Sequence, residues 1–452
     1  MSQGRYTGQK AILARMGKLV SSGWQVSGDE ASNQARRSLI FHNLTANVTA
    51  NLIGGNFFTG LMILLRADDA FVGLMTMLIF GANLLQLLSP VLLERFSRRK
   101  PLLIGIRVLI HLVNILFIGL IPLMPLAQQT RLVFLGFSVF VVNALGAIAG
   151  PGFTVWHIAH IPPGVRVQYY SLVTMLNGIF IALFNLLGSG VVDLFKASGQ
   201  ELWGLSVLRV LALLLAAVDI LMLLRIPELP RRQPAQRIRL RSLLTQTWGQ
   251  KVYLRSILVV VLWSLVVNMP GSFYTVYLLR ELQVSYSYIM LVASLNVVVL
   301  MLFTFLWRRV YLKYNWLRPL GLAILLLAPH YAILAFVSPG RLFLYPIGVI
   351  WSFLCMCGIN LAFTSVAFIN LPEDNQTLHV AFYSTANFLA ALTAATLGRS
   401  FVTGLRHLRF QLLGVPFGEK QTLMLLVGLL MVGVGVVILR VARLNQKQGL
   451  EH

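Results

Sequence analysis

The 452-residue chain is 57% hydrophobic and only 11% charged, far below the roughly 25% charged content of a soluble domain, which excludes a soluble globular protein and indicates an integral membrane protein. Its formal charge of +23 is not a nucleic-acid footprint: the densest basic stretch, RRQPAQRIRLRS at 231–242, contains no aromatic residue and lies between apolar runs, as membrane-surface anchoring requires. Cys355 and Cys357 fall on different sides of one predicted helix, which implies neither a disulfide framework nor a metal site, and no cofactor is expected.

In chain order, residues 1–35 form an N-terminal segment whose AILARMGKLV stretch (11–20) reads as a short basic amphipathic element on the membrane surface. They lack the apolar core and cleavage site of a signal peptide. Twelve apolar runs follow, at 38–64, 69–93, 101–124, 131–156, 167–191, 203–225, 255–279, 286–307, 318–338, 342–368, 378–402 and 421–440. Each is long enough to cross a hydrocarbon core about 30 Å thick at about 1.5 Å per residue. The expected fold is an all-α membrane protein with a six-helix bundle at 36–226, a basic linker at 227–252 and a second six-helix bundle at 253–442. The tail at 443–452 ends in Leu450, Glu451 and His452, which read as a scar leading into a histidine tag. Alternating the loops puts about 26 Lys and Arg on the side of the termini and about 9 on the other, so the termini are expected in the cytoplasm.

Internal similarity supports two copies of one design. NLIGGNFFTGLMILLR (51–66) and NMPGSFYTVYLLR (268–280) each carry Asn, a Gly three residues on, an aromatic-Thr pair and a closing Leu-Leu-Arg. IAHIPPGVRVQYYS (158–171) and FINLPEDNQTLHVAFYS (368–384) share an apolar-Pro start and an aromatic-Tyr-Ser finish. Six crossings return the chain to its starting side, so the halves are parallel repeats about an axis along the membrane normal.

PVLLERFSRRKPL (90–102), between the second and third runs, resembles the signature loop of the major facilitator superfamily. The match carries an acid and a basic cluster onto Glu94, Arg95, Arg98, Arg99 and Lys100, while Glu94, Pro90 and Ser97 stand where the family usually has Asp, Gly and Gly. The resemblance implies rocker-switch alternating access, with both termini cytoplasmic in a bacterial inner membrane. It also implies a cytoplasmic gate in which Glu94, Arg95 and Arg98 meet the start of the eleventh helix near Ser384, where backbone amides and the helix dipole receive an anion. Positive-inside anchoring alone accounts for Arg98, Arg99 and Lys100.

A polar side chain in lipid faces the bundle interior or a wet cavity. At 100° per residue, Asn43, Asn47 and Asn51 lie at about 0°, 40° and 80° of the first helix, with Phe58 in the same sector. Two readings compete: amides that bond neighbouring helices as packing glue, and amides that line a solute cavity. Cavity lining is the expectation, with Asn177, Asn268, Tyr274, Asn296, Asn360 and Asn387 as further candidates beside Asn185 and Thr364. Phe57, Phe58, Phe273 and Tyr274 are candidate aromatic walls. The seventh helix is expected to break at NMPGS, because Pro270 has no N–H to donate, whereas the threonines of the first helix are expected to bond back to its own carbonyls.

Most acids lie near loops: Asp68, Asp69, Asp193, Glu281, Glu373 and Asp374. Asp219 is the exception, and Arg107 at equal depth is its expected partner in a buried, structural ion pair, with a proton relay as the alternative. His42, His111 and His330 read as bonded packing residues, with titrating groups as the alternative.

The sequence therefore reads as a monomeric secondary transporter of a small polar or amphipathic solute, embedded in the lipid bilayer. The alternatives are an efflux pump of the same superfamily or a non-transporting sensor or scaffold. Against efflux, MLNGIFIALFNLLGSG (175–190) lacks the helix-five Gly-Pro signature that the resemblance implies. Against an enzyme, there is no paired intramembrane carboxylate, metal-spaced His pair or nucleophile elbow.

Overall fold

The computed structural model describes residues 30–89, 98–228, 251–314, 316–366 and 376–447, with 25, 92 and 96 as single positions. Among the described residues twelve rods follow one another: α1 (Glu30–Ile53, resuming as Gly55–Leu64), α2 (Asp69–Asn83 with a 3-10 extension Leu84–Leu88), α3 (Lys100–His111, continued to Leu123), α4 (Gln128–Ile158), α5 (Arg166–Ala197), α6 (Glu201–Arg225), α7 (Lys251–Val267, resuming as Phe273–Val276), α8 (Tyr286–Lys313), α9 (Leu317–Ala335), α10 (Leu344–Val366), α11 (Gln376–Gly404) and α12 (Glu419–Lys447). A hairpin, β1 (Phe410–Leu412) and β2 (Val415–Phe417), pairs antiparallel between α11 and α12. Nine of the rods are long and apolar enough to cross a membrane uninterrupted among the described residues. The end of the molecule bearing the α1–α2, α5–α6 and α7–α8 turns is called the outer end below, and the opposite end the inner end.

Both halves break the same element of the repeat. In α7 the interruption falls where it is expected, at Asn268–Ser272, because Pro270 cannot donate and Gly271 sits at φ +48°. The expectation of an unbroken first helix is corrected: α1 stops at Ile53, Gly54 is extended and Gly55 adopts φ +50°. A side chain at Gly54 would collide with the Ala50 carbonyl. The adjacent glycines supply in α1 the bend that Pro-Gly supplies in α7.

Several buried or inner-end polar groups are satisfied by bonds between rods. α3 contains a π turn at Leu112–Phe117, which frees carbonyls from the regular ladder. Arg209 of α6, only 8% exposed, donates to Asn114 O at 2.8 Å and Ile115 O at 3.3 Å. At the inner end Glu228 accepts from Arg99 N at 2.6 Å and Lys100 N at 3.2 Å, placing a carboxylate on the positive end of α3. Arg36, fully buried, donates to His160 O at 3.1 Å and Asn33 Oδ1 at 2.5 Å.

The core is distributed unevenly along the membrane normal. One apolar cluster runs through both halves, joining Leu61, Met62 and Met75 to Val276, Leu278, Tyr286 and Ile289. A second, built on Leu39, Ile104, Trp156, Tyr169 and Leu223, belongs to the inner end of the first half alone.

Arg209→Met removes both donors to the π turn and is expected to destabilise the protein by about 1–3 kcal/mol for the carbonyls left unpaired in lipid. Arg209→Lys is expected to recover part of that loss in detergent thermal melts.

Candidate functional site

The described polar contacts between the halves gather at the outer end. Asp69, in the first turn of α2, accepts from Arg280 at 3.0 Å and pairs with Lys420 of α12 at 2.7 Å. Lys420 is almost wholly buried and also meets Glu281 at 2.6 Å and Glu419 at 3.0 Å. Arg280 and Arg399 donate to Ala67 O and Ala70 O at 2.6 and 2.8 Å. On the opposite flank, Asp193 of α5 accepts from Tyr286 N at 2.9 Å and Ser287 N at 2.7 Å, capping the free amides of α8 from the other half. Tyr286 donates to Glu201 Oε1 at 2.7 Å and stacks on Phe57 at 5.8 Å. These contacts require bare backbone opposite them, since a Cβ at Gly60 would overlap the Tyr286 hydroxyl and one at Gly73 the Arg399 side chain.

Toward the inner end the α5–α8 seam opens. Tyr286, Ile289, Met290 and Val292 of α8 are buried, whereas Met301, Leu302, Phe305 and Leu306 are 50–68% exposed. Tyr170 and Met175 at the start of α5 are likewise exposed.

Between these ends lies a cavity of about 330 Å³ at the α7 break, lined by Thr76 and Phe80 of α2, Asn268, Pro270, Gly271 and Tyr274 of α7, His330, Tyr331 and Leu334 of α9, and Met424 of α12. Both halves contribute to it. It contains Asn268 and Tyr274 of the sequence candidates, and the Tyr274 hydroxyl reaches Leu334 O at 3.4 Å. His330 donates through Nδ1 to Gly348 O at 2.8 Å, as its reading as a bonded packing residue requires. A larger hollow, about 910 Å³, lies elsewhere, between α2 and α4 at the outer end.

The asparagine face is half-buried and uses its amides in a way the sequence did not suggest. Asn43, Asn47 and Asn51 each donate Nδ2 to the carbonyl one turn earlier, on Leu39, Asn43 and Asn47, at 2.9, 2.7 and 2.9 Å. Asn268 does the same to Ser264 O at 2.9 Å. Each amide thus spends one of its two N–H groups within the helix and keeps the other N–H together with the side-chain oxygen.

The remaining candidates separate. Asn177 Oδ1 and Asn185 Oδ1 are buried without a hydrogen-bond partner among the described residues. Asn387 accepts from Ser264 Oγ, Asn296 is half-buried and Asn360 exposed. Of the expected aromatic walls, Phe57 and Phe273 are core residues at 2% exposure, which corrects that reading; Phe58 and Tyr274 keep accessible surface. Thr45 bonds back to Phe41 O at 2.8 Å as expected, but Thr49 reaches across to Ala212 O of α6 at 3.5 Å. Of the expected inner gate, Glu94 and Arg95 lie outside the described residues, Arg98 is exposed and Ser384 half-buried on α11. The side chain of Thr364 is also outside the description.

Arg107 and Asp219 do pair, at 2.9 Å, but not alone. Asp219, with no exposed surface, also meets His111 Nε2 at 2.7 Å and His42 Nδ1. The sequence could suggest this pair because depth is legible; the histidines joined it through rotations about helices that no single-helix pattern contains. The outer bonds were missed for a similar reason. Their one sequence signal is the repeated closing arginine, Arg280, whose counterpart Arg66 precedes Asp69 by a single turn.

A model of the Major Facilitator Superfamily matches residues 43–395. Among solved structures, the chain is similar to the nucleoside transporter NupG (13% identity, 91% of this chain and 98% of that one, TM-score 0.57). It is also similar to a D-xylose-proton symporter (13%, 90% and 96%, TM-score 0.65) and to the inward-open xylose transporter XylE from E. coli (15%, 89% and 94%, TM-score 0.61). No curated protein sequence matches it.

Asp69→Asn removes the first half's carboxylate from the Arg280–Lys420 contact. The outer end is expected to loosen, with labelling of a cysteine placed at Thr76 by a membrane-impermeant maleimide from the outer side rising several-fold.

Proposed function

This chain belongs to the Major Facilitator Superfamily, and from that premise we propose that it carries a small polar or amphipathic solute, bound between the asparagine face of α1 and the broken segment of α7. It is a multi-pass membrane protein and a secondary transporter working by alternating access, not an enzyme. The finer reading rests on one observation: a cavity of about 330 Å³, within the range of ligand pockets, sits where both halves meet a break in the seventh rod.

The chemistry of the lining suits a solute with both donors and acceptors. Four asparagines spend one N–H each on their own helix, so the faces of α1 and α7 offer a second N–H and a carbonyl oxygen apiece, which suit a solute bearing both donors and acceptors. The similar solved structures carry nucleosides and xylose by their descriptions, and both classes head the search for a ligand. In alternating access two halves rock about a midplane site. The outer contacts and the exposed inner ends of α5 and α8 support a state that communicates with the inner side. The excess of Lys and Arg on that side supports termini in the cytoplasm of a bacterial cell, with the protein acting as a monomer and without nucleic acid. Glu94, Arg95, Arg98 and Ser384 are proposed to close the inner side when the outer contacts release. A scaffold that had lost transport would not need a polar cavity shared by the two halves.

In a thermal-shift panel of nucleosides, pentoses and hexoses, a ligand is expected to raise the melting temperature of the unmodified protein. Asn47→Leu with Asn51→Leu is expected to abolish that shift while leaving the ligand-free melt unchanged within about 0.5 kcal/mol, because the helix ladder survives without these side chains. An unaltered ligand shift in the double variant would remove α1 from the binding site.

A further inference from the structure

We propose that the hollow between α2 and α4 at the outer end is a binding site for one anionic phospholipid of the outer leaflet, with its head group on Arg66 and an acyl chain along the groove. The inference needs only that the chain spans a bilayer and does not depend on the transport reading above.

The hollow, about 910 Å³, is polar at its mouth and apolar along its length. Arg66, Asp68, Gln128 and Gln129 form the mouth, and the remaining lining side chains, from Phe71 to Leu78 on α2 and from Leu132 to Phe137 on α4, are apolar. Asp68, at the cap of α2, stands ten residues before Leu78, and Gln128 stands nine before Phe137. At about 1.5 Å per residue the groove runs about 14–15 Å, half of a hydrocarbon core about 30 Å thick. A soluble ligand has no reason to match the depth of one leaflet. A lipid does, with charge at the interface and chain to the midplane.

The groove opens outward, since Val133 and Phe137 are 63% and 65% exposed. It also has a floor. Gly136 is buried there, and a Cβ on it would stand 3.2 Å from Met75 Cε, so α2 and α4 touch behind the groove. Walls beside a gap forfeit dispersion contacts until the gap is filled, and in a bilayer the available filling is an acyl chain.

The charge at the mouth selects the head group. Arg66 is exposed, and among the described residues its guanidinium has no hydrogen-bond or ion-pair partner. Its counterpart in the repeat, Arg280, is by contrast spent on Asp69 and Ala67 O at 3.0 and 2.6 Å. Asp68 serves α2 itself, because its carboxylate accepts from Phe71 N at 2.8 Å at the positive end of that rod. Arg131, one turn beyond Gln128, adds a second cation whose Nε lacks a partner among the described residues. Arg66 is presented from a fixed turn: its N–H donates to Ile63 O at 2.9 Å, and its carbonyl accepts from Gln128 Nε2 at 3.0 Å. A guanidinium meets a phosphate with paired N–H donors, so phosphatidylglycerol, whose head group is anionic, is favoured over zwitterionic phosphatidylethanolamine.

Native mass spectrometry of the full chain, released from detergent with phosphatidylglycerol and phosphatidylethanolamine of identical acyl chains, tests the assignment. One phosphatidylglycerol per chain is expected to survive activation that strips other lipids, several-fold more than phosphatidylethanolamine. Arg66→Gln is expected to bring that retention down to the phosphatidylethanolamine level, and Val133→Trp, which fills the groove from an exposed position, to remove both. Phosphatidylglycerol carrying a photoactivatable acyl chain, cross-linked to the unmodified protein in nanodiscs, is expected to mark 71–78 and 132–137; this arm stands if either variant fails to fold. Equal retention of the two lipids, or cross-links spread evenly over the exposed faces of α5 and α8 as well, overturns the proposal. So does displacement of the lipid by glycerol phosphate alone, which would make the site one for a free phosphate, or a dimer lost in Val133→Trp, which would assign the groove to a second copy of the chain.

Discussion

The arrangement depends on Asp69. Its carboxylate, at the first turn of α2, is the group of the first half that Arg280 and the buried Lys420 reach from the second. Lys420 is nearly inaccessible and carries a charge whose desolvation must be offset by the carboxylates around it. The outer closure is consequently conditional: while Asp69 stays, three carboxylates neutralise Lys420, and when the halves part, Glu281 and Glu419 remain with it in its own half. A contact that can be surrendered without stranding a buried cation is what a reversible gate needs, and the Asp193 cap on α8 has the same property, because water can replace it on the amides it releases.

The breaks in α1 and α7 give that gate its geometry. Short segments resume after Gly54 and after Asn268–Ser272 and carry Phe57 and Phe273 into the shared outer core. The same breaks place Asn51 in the last turn before one interruption and Asn268 at the start of the other, where Asn268 lines the cavity. Closure and cavity are thus two consequences of one backbone feature, repeated in each half by different residues.

What the sequence made legible follows from which signals are one-dimensional. Twelve apolar runs, the repeat, the α7 break and the equal depth of Arg107 and Asp219 are all readable along the chain. The α1 break was present in the aligned repeat as Gly54 opposite Gly271, but glycine without proline leaves the helix ladder chemically intact and gives a weaker signal. The self-bonding of Asn43, Asn47 and Asn51 depends on side-chain rotamers. The Asp69 contacts join positions 211 residues apart in the case of Arg280, and no periodicity of a single helix encodes that. The conversion of an expected ion pair into a four-membered cluster had the same cause, because His42 and His111 become partners of Asp219 only when α1, α3 and α6 are assembled.

The central claim is that one set of halves, closed at the outer end and open along α5 and α8 at the inner end, exchanges with its converse. Distances by pulsed electron paramagnetic resonance test it most directly, with Cys355 and Cys357, both buried, replaced by alanine. One spin-label pair sits at Tyr170→Cys and Leu306→Cys at the inner end and another at Ser198→Cys and Gln283→Cys at the outer end. The account predicts two populations in each pair, changing in opposite directions when the membrane environment or a ligand shifts the balance. A single fixed distance at both ends, or both ends widening together, would contradict it.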